Sequence, residues 1–180
     1  MLFKRTTLPT AQAQQLRKVT SARAVAWIDF PSVAPEDLDQ PDIKKDAWVI
    51  TTAKQLVLLT DGEEKVWPWY LVDRASWDPE TSQLVISFVQ DTNPLVITIT
   101  DKAPKKLLTH FRERVDHSVV VSESVPLTMT QTARVAVRRD DRGQLIIQTV
   151  YDPGVNPNAA AVTRKVGPVI ERLRDMSGAL

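Results

Sequence analysis

Residues 48–59 read WVITTAKQLVLL, and residues 64–70 read EKVWPWY. Between them lies Asp61-Gly62, and together they decide the fold class. Trp48, Ile50 and Thr52 alternate with Val49 and Thr51, the period of a strand with two unlike faces. A break at Ala53-Lys54 leads into Leu56-Val57-Leu58-Leu59, an apolar run bounded by turn signals. Such a run suits a strand buried on both sides. Asp61-Gly62 is a short-range hairpin signal, because glycine accepts the positive φ of a tight turn. The chain returns as Glu64 to Trp69, where Pro68 cannot donate to a ladder and so marks an edge or a bulge. On this reading Trp67 and Trp69 share one strand face and Pro68 and Tyr70 the other.

The pattern continues outward. Asp78-Pro79-Glu80-Thr81-Ser82 is a turn of residues that bond their own backbone. Leu84, Ile86 and Phe88 share one face of the next strand. Asp91-Thr92-Asn93-Pro94 turns it, and Leu95, Ile97 and Ile99 share a face of the strand after. Asp101 reads as an N-cap, with Pro104 in the first turn of a helix. Leu107, Leu108, Phe111 and Val115 form that helix's apolar stripe. Upstream, Ala24 to Phe30 is a first strand, with Trp27 as a core residue. A short helix from Pro9 to Lys18, capped by Thr7 or Thr10, has a thin apolar stripe (Leu8, Leu16, Val19).

The stretch Thr51 to Leu59, followed by Val66-Trp67-Pro68-Trp69-Tyr70-Leu71-Val72, resembles the bacterial PH-like domains. In those a strand pair leads to a proline-bearing strand, two more strands and a capping helix. The whole chain looks like a group of uncharacterised actinobacterial PH-like proteins. The resemblance implies a mainly β (α+β) fold, a strongly bent antiparallel sheet or open barrel capped by a helix. It carries no agreed activity, and such a fold hosts many functions. Three parts are expected. Residues 1–22 form an N-terminal helix or arm and residues 23–120 the PH-like domain. Residues 121–180 add a strand, hairpin and helix packed on the same domain.

That C-terminal part is legible on its own. Val119-Val120-Val121 starts a strand, and Pro126 to Thr132 is a polar connection. Ala133 to Arg139 alternates cleanly, Asp140 to Gly143 turns, and Gln144 to Tyr151 returns, which makes a hairpin. Val135 and Val137 face inward, and Arg134 and Arg138 share the other face. A final helix from about Ala159 carries Val162, Val166, Val169 or Ile170, Leu173 and Met176 as its stripe. Gly167-Pro168 predicts a kink or two pieces, and Gly178 a C-terminal cap.

Composition narrows the function. The 180 residues include no cysteine and five unclustered glycines, which excludes disulfides, thiolate chemistry and a Gly-rich phosphate loop. The net charge is +1, with a slight acidic excess before residue 100 and a slight basic excess after it. No apolar run approaches the ~20 residues of a membrane span. Neither is there the apolar core of a signal peptide at Met1 to Thr6. A cytoplasmic protein is expected. The loop from Pro31 to Asp46 sets Glu36, Asp37, Asp39, Asp42 and Asp46 against Lys44 and Lys45. An acidic loop opposes phosphoinositide binding, which needs several basic groups around phosphates. Its Asp37-Asp39-Asp42 spacing hints at calcium, but Pro41 and Trp48 occupy ligand positions of the required pattern. His110 and His117 alone cannot complete a zinc site, and no serine sits in a nucleophile elbow.

No enzyme and no cofactor is therefore expected. The favoured function is a non-enzymatic module that binds a protein partner, with a homodimer also open. The candidate binding residues are Trp67, Trp69 and Tyr70 on the edge strand and Arg134 and Arg138 on the hairpin. A binder of small hydrophobic ligands or lipid head groups is the alternative, and a hydrolase the remote one. Nucleic acid is disfavoured, because no aromatic residues interleave the arginines to stack on bases.

Overall fold

The computed structural model describes residues 7–31, 46–60, 63–89, 93–99 and 104–179. The Asp61-Gly62 turn, the start of the Asp91 turn, the Asp101 cap and the acidic loop with its calcium-like spacing lie outside the described residues. The elements run in order from helix α1 (Thr10–Val19) through strands β1 (Ala24–Phe30), β2 (Ala47–Thr52), β3 (Gln55–Leu59) and β4 (Glu64–Pro68). A 3-10 turn (Trp69–Leu71) precedes β5 (Val72–Asp78), β6 (Gln83–Phe88) and β7 (Leu95–Thr98). Helix α2 (Lys105–Ser118), strands β8 (Val119–Pro126), β9 (Thr132–Arg139) and β10 (Leu145–Tyr151), and helix α3 (Ala160–Ser177) complete the chain.

The protein is mainly β, of the α+β class. Its strands form three antiparallel sheets, ordered β1-β2-β3-β4, β5-β6-β7 and β10-β9-β8, and not a closed barrel. Among the described residues no helix is long and apolar enough to cross a membrane. By internal contacts the chain divides into two compact units. The first comprises the chain through Trp67, Ala75–Val85 and Val96–Arg112; the second comprises Pro68–Arg74, Ile86–Leu95 and Glu113 onward.

In the first unit, β3 is buried from Leu56 to Leu59, as an apolar run enclosed on both faces should be. Its partner β2 runs antiparallel to it with Ile50 opposite Val57. The break at Ala53-Lys54 is a turn organised by one hydroxyl. Thr52 Oγ1 donates to the Gln55 carbonyl at 2.9 Å and accepts the Gln55 N–H at 3.0 Å. Leu16 of α1 packs with Ile50, Val57 and Leu59, so one buried leucine suffices to seat a helix with a thin stripe. Neither Thr7 nor Thr10 caps α1; Pro9 stands at the cap and makes no side-chain bond.

The buried Thr51 is satisfied by two partners. Its Oγ1 donates to the Ala26 carbonyl at 3.1 Å, and His110 Nδ1 lies 2.9 Å away. The hydroxyl has a single proton, already given to Ala26, so Nδ1 is the donor to it. At the β5–β6 turn Asp78 accepts from the Thr81 hydroxyl at 2.8 Å and the Glu80 N–H at 2.9 Å. Those bonds, the Thr81 one foremost, hold its carboxyl below its ordinary range.

In the second unit, β9 is the central strand between β8 and β10. Val135 and Val137 face α3 and join Val166, Val169 and Leu173 in one buried cluster. Each such side chain contributes about 1.5–3 kcal/mol on burial. That outweighs the roughly 3 kcal/mol that a proline inside a helix costs. Helix α3 accordingly continues through Pro168 as one element, so of the two expected outcomes, a kink or two pieces, the second does not occur. It ends at Gly178, whose φ of +68° lets its N–H reach the Arg174 carbonyl at 2.8 Å. The hairpin turn is built by Asp140, whose carboxylate accepts the N–H groups of Arg142 at 2.9 Å and Gln144 at 2.8 Å.

Candidate functional site

The strand expected to run through Tyr70 stops at Pro68. Proline has no N–H to continue a ladder, and with φ −55° and ψ 147° it leads directly into the 3-10 turn. Trp67 and Trp69 therefore do not share a strand face. Trp67 is half-buried in β4, while Trp69 in the turn is only 6% exposed. Tyr70 is half-buried. The proposed aromatic docking strip is not present as a strip, because a turn separates its members and buries one of them.

The two hairpin arginines do come together, and they are joined by a residue the sequence did not single out. In β9 the face opposite the valines carries Arg134, Ala136 and Arg138. The segment from Tyr70 to Asp73 meets this face. Arg138 Nη1 donates to the Val72 carbonyl at 2.8 Å and to Ser118 Oγ at 3.2 Å. Ser118 in turn donates its proton to the Val115 carbonyl at 2.7 Å, leaving its lone pairs to the guanidinium. Asp73 lies between the arginines: its Oδ1 accepts from Arg134 Nη2 and sits 3.5 Å from Arg138 Nη2.

Burial makes this arrangement costly to break. Arg138 is 2% exposed and Asp73 5%. Of the two arginines named as candidate binding residues, Arg138 is thus enclosed. Arg134 keeps 37% of its side chain in solvent. Burial, and then the neighbouring Arg134 charge, push the Arg138 guanidinium down to about 10, still fully protonated at neutral pH. Two cations thus share one carboxylate. Satisfaction of the face is incomplete, since Arg138 Nε and the Gln148 Oε1 on neighbouring β10 are both buried without a hydrogen-bond partner. Tyr70 belongs to the same neighbourhood. Its hydroxyl is raised above its ordinary value by desolvation first, then by Asp141 and Asp140, with Arg142 opposing.

Chemically this is a charge lock, one carboxylate bridged by two guanidiniums. Among the described residues no three His, Asp or Glu side chains are placed to hold a metal ion.

A second feature of this unit lies at the sheet's margin. Strand β8 is an edge strand, and Val120 and Val121 on it are 47% and 37% exposed. Helix α3 runs antiparallel alongside. Lys165 Nζ donates to the Leu127 carbonyl at 2.7 Å, and Arg172 pairs with Glu123 at 2.5 Å and 2.6 Å. One helical turn beyond Arg172, about 6 Å along the axis, comes Met176. Two residues back from Glu123, about 6.6 Å along the strand, comes Val121. Met176 thus lies on the helix face that carries Arg172, and Val121 on the strand face that carries Glu123. Expected in the buried stripe, Met176 is instead 73% exposed. Ala179, three residues further on, is buried in the same cluster, so Met176 stands at the margin of the stripe and not beyond the end of the packed surface.

No family model, characterised protein or solved structure matches this chain.

Proposed function

We propose that the chain is a non-enzymatic, PH-like interaction module of the cytoplasm that binds a protein partner, and that the partner adds a strand to the free edge of β8. What supports the PH-like part is element order: a four-stranded sheet with a proline at the end of its last strand, a three-stranded sheet, then a helix. The binding part rests on one observation, the exposure of Val120, Val121 and Met176 at the end of an edge strand. Edge strands present unpaired N–H and C=O groups, and proteins that do not use them blunt them with proline, bulges or lysine. Strand β8 has a bulge between Val119 and Val121 and Pro126 at its end, with Ser122 to Ser124 left unguarded between. Main-chain pairing on such an edge supplies affinity, and alternate side-chain contacts supply specificity.

The test is affinity capture with the tagged full chain, comparing wild type with Val121→Asp and Met176→Glu, followed by hydrogen exchange on the recovered complex. A protein retained by wild type alone, with slowed exchange of β8 amides, is the expected result. Equal retention by both variants, or protection confined to other strands, would remove the assignment.

A further inference from the structure

The edge of β8 also specifies what kind of segment it takes. Resting on the assignment of β8 as the docking edge, we infer that its partner is an extended segment in which apolar residues alternate with acidic ones.

An added strand points successive side chains to opposite faces of the sheet. On the α3 face it meets Val121 and Met176, past the Glu123–Arg172 pair that closes the rim. Glu123 is already matched by Arg172, so this face asks for apolar contact and no further charge. On the opposite face the added strand meets Ser122 and Ser124, both exposed, which stand across from Ala136 and Arg134 of β9. Arg134 and Arg138 share the single carboxylate of Asp73, and Arg134 is the partly open member. A carboxylate arriving over the serines finds hydroxyl donors beside the partly open Arg134. An ammonium finds hydroxyl acceptors there but is repelled by the guanidinium. Strand β8 itself carries only one charged side chain, Glu123, and it lies on the α3 face, so no residue of β8 on the serine side repels an acidic residue. Like-charge juxtaposition across an interface is a strong source of discrimination, and partial exposure makes it salt-sensitive.

The probe is a dye-labelled peptide alternating valine and glutamate, eight residues long like β8. Its valine–lysine counterpart and two forms N-methylated at alternate residues, one in each register, are the controls. Binding to the full chain is read by fluorescence anisotropy. The glutamate peptide is expected to bind on the order of tenfold tighter than the lysine peptide. N-methylation in one register abolishes binding, and Met176→Glu does the same. Arg134→Gln, checked for folding by circular dichroism, brings the two peptides together.

Equal binding of the two peptides, still lost in Met176→Glu, would overturn the acidic preference while leaving β8 as a docking edge. Binding indifferent to N-methylation in both registers, or no saturable binding of either peptide, would overturn strand addition itself. Sedimentation of the chain alone supplies the remaining outcome. A dimer at micromolar concentration that Val121→Asp dissolves would assign the edge to a second copy and overturn the peptide proposal.

Discussion

The two faces of β9 come from one alternating run, Ala133 to Arg139, and they are buried in different ways. One face sets Val135 and Val137 against Val166, Val169 and Leu173 of α3. Its contacts are non-directional and tolerate any side chain of suitable volume. The other face sets Arg138 against a carbonyl, a hydroxyl and a carboxylate, each at a fixed position. The first face makes the hairpin stable. The second face makes it specific, because it accepts one partner segment, Tyr70 to Asp73, in one register. A buried charge contributes less to stability than its bonds suggest, since desolvation offsets them, but removing half of a buried pair is severe.

The largest expected effect breaks the charged face. Asp73→Ala leaves two guanidiniums facing each other with no carboxylate, and should lower stability by about 3–5 kcal/mol in chemical denaturation. If the loss arises from the unpaired cations, adding Arg138→Met to Asp73→Ala recovers part of it. A double variant no better than the single one would mean that Asp73 acts through something other than the arginines. Next comes the apolar face. Leu173→Ala should cost about 2–5 kcal/mol by leaving a cavity between helix and sheet. Arg138→Met alone should cost only about 1–2 kcal/mol. It strands the Val72 carbonyl but removes a desolvated charge and an orphaned N–H. Finding Arg138→Met as damaging as Asp73→Ala would reverse the assignment of which partner is indispensable.

This comparison also shows what a sequence can reveal. Alternation in Ala133 to Arg139 marks the strand, the valine face and the turn at Asp140, because local chemistry determines all three. The same holds for the buried run of β3 and the apolar stripe of α2. It does not show that the arginine face is covered. Covering it requires Asp73, sixty-one residues before Arg134 in the chain, and no local pattern around Val72-Asp73-Arg74 distinguishes that aspartate from a solvated one. The aromatic motif misled for the opposite reason. Pro68 signalled an interruption, and the interruption proved to be the end of the strand, so Trp69 turned inward. Met176 obeys the helical period and is still exposed, while Ala179 beyond it is buried, because periodicity defines a stripe but not how far its margin is covered.

Smaller effects sharpen the contrast between enclosed and open charge. The Glu123–Arg172 pair is closely joined, yet both side chains are about half in solvent, at 40% and 52%. Exposed pairs are screened and lose side-chain entropy, so Arg172→Gln should shift stability by less than about 1 kcal/mol. A loss comparable to that of Asp73→Ala would show that this rim is enclosed and unavailable for an added strand.

The smallest effect is the titration of Tyr70, and it probes whether the charged face extends to the hairpin turn. Desolvation, then Asp141 and Asp140, favour the neutral phenol in the folded protein, so its folded value lies above the ordinary 10.0. The unfolded chain then releases this proton first as pH rises. The stability it contributes is fully present below pH 10 and is lost as pH climbs through the folded value. With two tyrosines in the chain, phenolate absorbance should show a late step that Tyr70→Phe removes. Replacing Asp140 and Asp141 together by asparagine should bring that step earlier, though not to the ordinary value, because burial is the larger cause. If the late step survives Tyr70→Phe, Tyr70 is not its source. The segment from Tyr70 to Asp73 would then be held by its contacts with Arg134 and Arg138 alone, and the turn would lie outside the lock.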